Sequence, residues 1–169
     1  MRKIKNLLFI PKLFFLYLFK IILDFTPNKK KNIIIGAMNG SYYGDNGKYI
    51  FEYILQNTNY RVYWSTNKRS VYKSMKKTEK PVIYQKSFKS IHALHNSIVV
   101  LYTNSLRDVV ITKELLPKII FLGNLRHGKS IKCVRYSSKS SLKDNEISWR
   151  ELETNNISFA TATSPIISY

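Results

Sequence analysis

The sequence predicts an α/β domain built on a parallel sheet. Short apolar runs such as Ile33–Ile35 and Ile98–Leu101 lack the polar–apolar alternation of half-exposed strands, so each indicates a strand that is covered on both faces. Segments with helical spacing of apolar residues separate these runs. A chain of 169 residues is long enough for one such domain with a substantial core. We therefore predict a doubly wound, Rossmann-like fold.

The predicted elements follow in order from Asn32. Helices are predicted where apolar residues recur on one side, as Tyr49, Ile50, Tyr53 and Ile54 do. The sequence predicts strands at Asn32–Met38, Tyr60–Ser65, Pro81–Tyr84, Ser97–Thr103, Ile119–Leu122 and Ile157–Thr163. It predicts helices at Lys48–Gln56, Ser70–Lys77 and Phe88–Asn96, and a helical or irregular crossover at Leu106–Leu116.

The overall charge restricts the class of partner. The formal net charge is +18, from 28 Lys+Arg against 10 Asp+Glu. This favours nucleic acid, an anionic membrane surface or phosphate-bearing substrates, and composition alone does not separate the three. Apolar residues at 44% exclude a disordered basic tail. The single cysteine, Cys133, excludes an internal disulfide and a cysteine-based zinc site, and permits a reducing, cytoplasmic setting.

Residues 1–31 differ from the rest of the chain. The apolar stretch Leu7–Leu23 is shorter than the roughly 20 residues of a spanning helix and is interrupted by Pro11, Lys12 and Lys20. We interpret it as a helix that lies in or on an anionic leaflet, with basic residues on both sides. The alternative is a helix packed on the protein's own core. We favour the membrane, and place a domain boundary between 1–31 and 32–169.

His127 is the strongest candidate for a catalytic residue. It follows the predicted strand Ile119–Leu122, and ligands of open α/β sheets bind at the carboxyl ends of strands. The neighbouring cations disfavour the imidazolium, which leaves the neutral imidazole that a general base requires. The alternative is that His127 is an exposed loop histidine without a catalytic role. Residue spacing alone favours neither interpretation. His92 and His95 are i,i+3 neighbours without an acidic or cysteine partner, so we assign them no metal.

The loop from Gly36 to Gly47 is a candidate phosphate site. It contains four glycines and leads into a predicted helix, whose first amides are free to bind phosphate. The loop matches neither the dinucleotide-binding glycine pattern nor the P-loop, so nothing supports a nucleotide hydrolase.

Three segments resemble the CDP-glycerol glycerophosphotransferase family, whose members build teichoic acids and related surface polymers. Ser41–Ile54 resembles the first loop and helix of that family, His127–Lys132 its Trp-His-Gly-x-Pro-x-Lys motif, and Ala162–Pro165 its Thr-Ser-Pro segment. The basic, apolar N-terminus also resembles the membrane-association segment of these enzymes. The segments occur in the family's order and together span most of the chain.

The resemblance implies the N-terminal half of a GT-B-like enzyme that transfers glycerol phosphate or ribitol phosphate from a CDP-linked donor to a polymer hydroxyl and releases CMP. It implies no cofactor, and a location on the cytoplasmic face of the membrane. His127 is then the base acting on the acceptor hydroxyl. The candidate acceptor- or phosphate-binding residues are Ser41, Asn46, Lys48, Gly128 and Lys132.

Two departures from the family pattern bear on activity. Arg126 stands where tryptophan is usual, and Lys129–Ser130 replaces a neutral residue and proline. The second, donor-binding domain has no counterpart in 32–169, so we expect this chain by itself to bind acceptor and membrane better than it catalyses. A non-catalytic membrane scaffold and a basic nucleic-acid-binding module are the alternatives; no nucleic-acid motif is present.

Overall fold

The computed structural model describes residues 9–27, 29, 31–116, 121–124 and 157–160. Within these ranges the α-helices are α1 (Phe9–Asp24), α2 (Asp45–Asn57), α3 (Arg69–Lys77) and α4 (Phe88–His95). The strands are β1 (Asn32–Gly36), β2 (Arg61–Thr66), β3 (Val82–Tyr84), β4 (Ser97–Tyr102), β5 (Phe121–Asn124) and β6 (Ile157–Ala160). Short 3₁₀ helices occur at Met38–Gly40, Leu106–Asp108 and Lys113–Leu115.

The six strands form one sheet in the order β3-β2-β1-β4-β5-β6, and every adjacent pair is parallel. Ile34 of β1 pairs with Tyr63 of β2 on one side and with Val100 of β4 on the other. This is the strand order of a doubly wound α/β sheet. The prediction of a parallel α/β sheet is confirmed.

Alternate side chains of the strands pack against helices on the two faces of the sheet. On one face Ile34 lies in an apolar cluster with Leu94 of α4. On the other face Ile35 and Trp64 lie in a second cluster with Phe51 of α2. Burial on both faces is why the apolar runs do not alternate with polar residues.

The first helix, α1, packs on the core through one side. Leu16 and Leu23 are buried in the cluster that contains α4, and burying a leucine side chain contributes about 1.5–3 kcal/mol. The opposite side leaves large apolar side chains exposed, including Phe14, Phe15 and Ile22. The helix therefore combines core packing with an unpartnered apolar face. Within the described ranges no helix has both the length and the apolar character needed to cross a membrane.

The bounds of several predicted segments differ in detail from those of the observed elements. The first strand ends at Gly36, because Met38 and Asn39 adopt positive φ and enter a 3₁₀ turn. The crossover at Leu106–Leu116, predicted to be helical or irregular, is irregular and contains two short 3₁₀ turns. The fifth strand, predicted at Ile119–Leu122, is observed at Phe121–Asn124.

Candidate functional site

The candidate site lies at the carboxyl ends of β1 and β4. The chain leaves β1 toward β2 on one side of the sheet, and β4 returns on the other side of β1. This reversal is the topological switch point, where open α/β sheets bind ligands. The turns that follow the two strands, Met38–Gly40 and Leu106–Asp108, contact each other there.

Asp108 joins these two turns. Its side chain is fully buried, and Oδ1 accepts a hydrogen bond from the backbone N–H of Asn39 at 2.5 Å. Its Oδ2 accepts backbone N–H groups of Thr103 at 2.9 Å, Asn104 at 2.8 Å and Ser105 at 3.4 Å. One carboxylate therefore fixes the backbone after β1 against the backbone after β4.

The environment of Asp108 favours a positioning role. Burial raises the pKa of this carboxyl above its ordinary value, while the backbone N–H groups, those of Asn104 and Asn39 first, act in the opposite direction. The side chain is not exposed to solvent, and both of its oxygens accept backbone hydrogen bonds. Asp108 thus sets the shape of the edge without facing a ligand.

The turn after β1 has a strained backbone. Met38, Asn39 and Gly40 adopt successive φ values of 51°, 54° and 70°. A left-handed conformation costs a non-glycine residue roughly 1–2 kcal/mol. The Gly40 carbonyl is held by the Thr66 hydroxyl at 2.7 Å and by the Asn67 backbone N–H at 2.8 Å. Such strain concentrates at functional sites, and here it marks the turn at the switch point.

Gln85, next after β3, supports the same turns from the side. It is 1% exposed, and its Nε2 donates a hydrogen bond to the Asp108 backbone carbonyl at 2.8 Å. Its Oε1 has no hydrogen-bond partner in the part of the chain that the structure describes. The segments after β1, β3 and β4 are therefore tied together at one edge.

Gly36 is required because the Asp108 backbone lies against it. A Cβ added at Gly36 would lie 2.6 Å from the Asp108 carbonyl carbon and collide with its oxygen. We expect Gly36→Ala to lower the free energy of unfolding by roughly 2–3 kcal/mol, since the two backbone segments would have to separate. Urea unfolding measures this change.

Gly47→Ala is the matched control for that substitution. A Cβ there would meet side-chain atoms of Trp64, Ile35 and Thr103 at 3.3–3.4 Å, and alanine favours the helix. We expect a change within about 1 kcal/mol. Equal losses in the two variants would contradict the close approach at Gly36.

The loop after β1 is anchored through Tyr43. Its ring packs edge-on against Trp64 with centroids 4.9 Å apart. Its hydroxyl donates to Glu52 Oε1 at 2.9 Å and accepts from Lys80 Nζ at 3.2 Å, and Lys80 also pairs with Glu52 at 2.7 Å. Burial raises the pKa of Tyr43 to about 12, so it stays a neutral phenol. This anchor fixes the loop against α2 and β2.

The predicted phosphate-binding residues of the first loop lie at this edge. The Ser41 hydroxyl donates to the Met38 carbonyl at 2.6 Å, and Lys48 Nζ lies 5.8 Å from the Tyr43 ring centroid. The backbone N–H of Asn46 donates to Asp45 Oδ1 at 2.9 Å. The first turn of α2 therefore already carries a carboxylate, which opposes anion binding there. The ligand-binding roles of these residues stay predictions.

The other predicted site residues, His127, Gly128 and Lys132, lie outside the described residues. The strand before them is described: Asn124, the last residue of β5, pairs with Tyr102 at the end of β4. The chain thus leaves β5 toward His127 at the same sheet edge as the turns that Asp108 joins. The role of His127 as a base stays a prediction.

Sequence reasoning missed Asp108, Asn39 and Gln85 as residues that organise the site. One local signal was available: Ser105 and Asp108 form a capping box, a pattern that marks a helix or turn start. The contact between Asp108 and Asn39 spans 69 residues of sequence and has no local signature.

The fold, with its strained turn at the switch point, defines a doubly wound α/β protein in which the turns after β1 and β4 meet at one edge of the sheet. The chain belongs to the CDP-glycerol:poly(glycerophosphate) glycerophosphotransferase family, whose sequence model matches residues 17–168. The family resemblance predicted from the three segments is confirmed. A comparison with curated proteins returned no match.

Solved structures of the wall teichoic acid polymerase TagF have a similar fold. One, a variant soaked with CDPG, superposes with a TM-score of 0.67 at 18% identity over 99% of this chain and 42% of that one. Another TagF structure gives a TM-score of 0.65 at 18% identity, over 99% of this chain and 41% of that one. The chain therefore spans about two fifths of the length of these TagF chains.

Proposed function

We propose that this chain is the acceptor-side half of a GT-B-like glycerophosphotransferase of surface-polymer synthesis. The observation that carries the proposal is the family match over residues 17–168, together with a site edge at the switch point of the sheet. The reaction transfers glycerol phosphate or ribitol phosphate from a CDP-linked donor to a polymer hydroxyl. In this family resemblance the donor site belongs to a second domain, which has no counterpart in residues 32–169.

In the proposed reaction the acceptor oxygen attacks the phosphorus that carries the polyol. A new phosphorus–oxygen bond forms, the bond to the bridging oxygen breaks, and CMP leaves. His127 takes the proton of the acceptor hydroxyl. We assign binding of the acceptor phosphates to Ser41, Asn46, Lys48, Gly128 and Lys132, with the Lys48 cation offsetting the Asp45 carboxylate in the same helical turn. The proposal is consistent with the pairing of Asn124, the last residue of β5, with Tyr102 of β4, since β4 leads into the turn that Asp108 joins to the turn after β1.

We also propose that α1 holds the protein on the cytoplasmic face of the membrane. Its solvent side exposes large apolar side chains, among them Phe14 at 63%, Phe15 at 56% and Ile22 at 56%. The excess of cations favours an anionic leaflet. A peripheral location would bring the chain to lipid-linked acceptors.

CMP release tests the proposed function. The full-length gene product is incubated with CDP-glycerol and vesicles that carry a glycerol-phosphate-primed lipid. We expect CMP release that requires the primed lipid, while residues 1–169 alone bind the vesicles and release far less CMP. Vesicle binding without CMP release from the full-length protein would favour the scaffold. Tight binding of RNA at physiological salt without vesicle binding would favour the nucleic-acid module.

A further inference from the structure

A cavity of about 470 Å³ lies at the opposite edge of the sheet from the candidate site. It is formed by the residues just after α1, the first residues of β1 and β2, and one side of α4. Parallel strands of five or six residues separate the two edges by roughly 20 Å. The cavity is therefore distinct from the switch-point site.

The cavity is lined by cations without acidic partners. The lining includes Lys29, Lys31, Arg61 and Lys89, and it contains no acidic residue among those described. Within the described part of the chain, the ion pairs join Lys20 to Asp24 and Lys80 to Glu52, so neither involves a cation of this cavity. Four positively charged residues around a concave site favour a phosphate-bearing ligand.

Hydrogen bonds to Asn96 hold the wall of the cavity in place. Its backbone carbonyl accepts the N–H groups of Lys31 at 2.9 Å and Asn32 at 3.0 Å, and its Oδ1 accepts the N–H of Lys29 at 3.0 Å. The Asn32 side chain donates to the Ala93 carbonyl at 3.0 Å. The segment that carries two of the four cations is therefore fixed to the end of α4 before any ligand binds.

The C-terminal end of α1 reaches this cavity. Leu23 and Thr26 line it, and the residues next to them in sequence, Ile22 and Phe25, are 56% and 87% exposed. A small phosphate ester would account for the cations but not for the apolar side chains beside them. A phospholipid accounts for both, since its phosphate is anionic and its acyl chains are apolar.

We propose that this cavity binds the phosphate headgroup of an anionic phospholipid while the exposed side of α1 contacts the acyl chains. The inference deepens the membrane association of the proposed function and rests on it.

Vesicle flotation with paired variants tests the headgroup site. The pocket pair, Arg61→Gln with Lys89→Gln, is compared with a control pair, Lys73→Gln with Lys77→Gln on α3, which removes the same charge from exposed positions. The vesicles are phosphatidylcholine with or without phosphatidylglycerol. We expect the pocket pair to weaken binding to the phosphatidylglycerol vesicles roughly tenfold or more, and the control pair by less than about threefold. Equal losses would mean diffuse attraction and would overturn the site.

Two further experiments distinguish a lipid phosphate from a soluble phosphate ester, and distinguish loss of the headgroup site from loss of membrane association. Calorimetry with soluble glycerol phosphate is expected to give only weak binding; affinity equal to that for vesicles would overturn the lipid as ligand. Ile22→Ser with Phe25→Ser is expected to weaken vesicle binding as well. If only this pair weakens vesicle binding, the result would support membrane association through α1 and exclude the headgroup site. No vesicle binding by the wild type would overturn both, whereas CMP release tests the transferase independently.

Discussion

Asp108→Ala is expected to lower the free energy of unfolding by roughly 3–5 kcal/mol, which corresponds to a fall of about 10 °C in Tm. The carboxylate is fully buried and accepts backbone N–H groups from two turns, including those of Asn39 and Asn104. Alanine leaves these donors buried without acceptors, and each such donor costs about 1–3 kcal/mol. Thermal and urea unfolding of the purified protein measure the loss.

Two variants sharpen this prediction. Asp108→Asn keeps the size and one acceptor oxygen but turns an amide N–H₂ toward N–H donors, so we expect a smaller loss than for alanine. Asp24→Ala removes an exposed carboxylate whose partner is Lys20 at 2.5 Å, and surface pairs contribute about 0–1 kcal/mol. A loss for Asp108→Ala no larger than for Asp24→Ala would contradict the role of Asp108 in joining the turns.

The layered fold could be predicted from sequence because its signals are local. Ile33–Ile35 is covered by α2 on one face and by α4 on the other, and a strand buried in this way needs an unbroken apolar run. The largest difference is at the start of α2, which begins at Asp45, three residues before the predicted start at Lys48. The prediction began close to Tyr49 because that is the first apolar residue of the predicted helix face. The order of the strands was not predicted, because no local pattern specifies which strands pair.

The organisation of the site could not be predicted for the same reason. Asp108 meets Asn39 only because β4 lies beside β1, and Gln85, which follows β3, meets Asp108 only through the turn after β4. The sequence did place Ser41 and Lys48 at the sheet edge, since a strand followed by a glycine-rich loop is a local pattern. It also favoured the membrane over core packing for α1, and the helix has a buried side through Leu16 as well as an exposed apolar one.

Under the proposed membrane association, these two sides of α1 bear on how the sheet is held at the membrane. The buried side of α1 packs against α4. Along the chain α4 is followed directly by β4, and β4 by the turn that contains Asp108. A helix fixed in this way orients the sheet rigidly relative to whatever surface its exposed side contacts. Membrane binding and acceptor binding would then be coupled by geometry, without a conformational change.

His127→Ala is expected to lower kcat for CMP release roughly 10²–10⁴-fold in the full-length gene product, with KM for CDP-glycerol changed little. The reason is that the acceptor hydroxyl is a poor nucleophile until a base removes its proton. β5 ends at Asn124 beside Tyr102 of β4, so the segment leading to His127 starts at the ligand edge of the sheet. Turnover is measured as CMP release at saturating donor and acceptor.

The pH profile and chemical rescue separate a base from a structural histidine. Wild-type kcat should fall on the acid side as the imidazole is protonated, and His127→Ala should lose that dependence. His127→Asn keeps a hydrogen-bonding side chain but cannot act as a base, so it should be as slow as alanine, and added imidazole should partly restore only the alanine variant. Full activity of His127→Asn would show that the side chain positions the loop, and would exclude the base assignment while leaving the family membership and the fold unaffected.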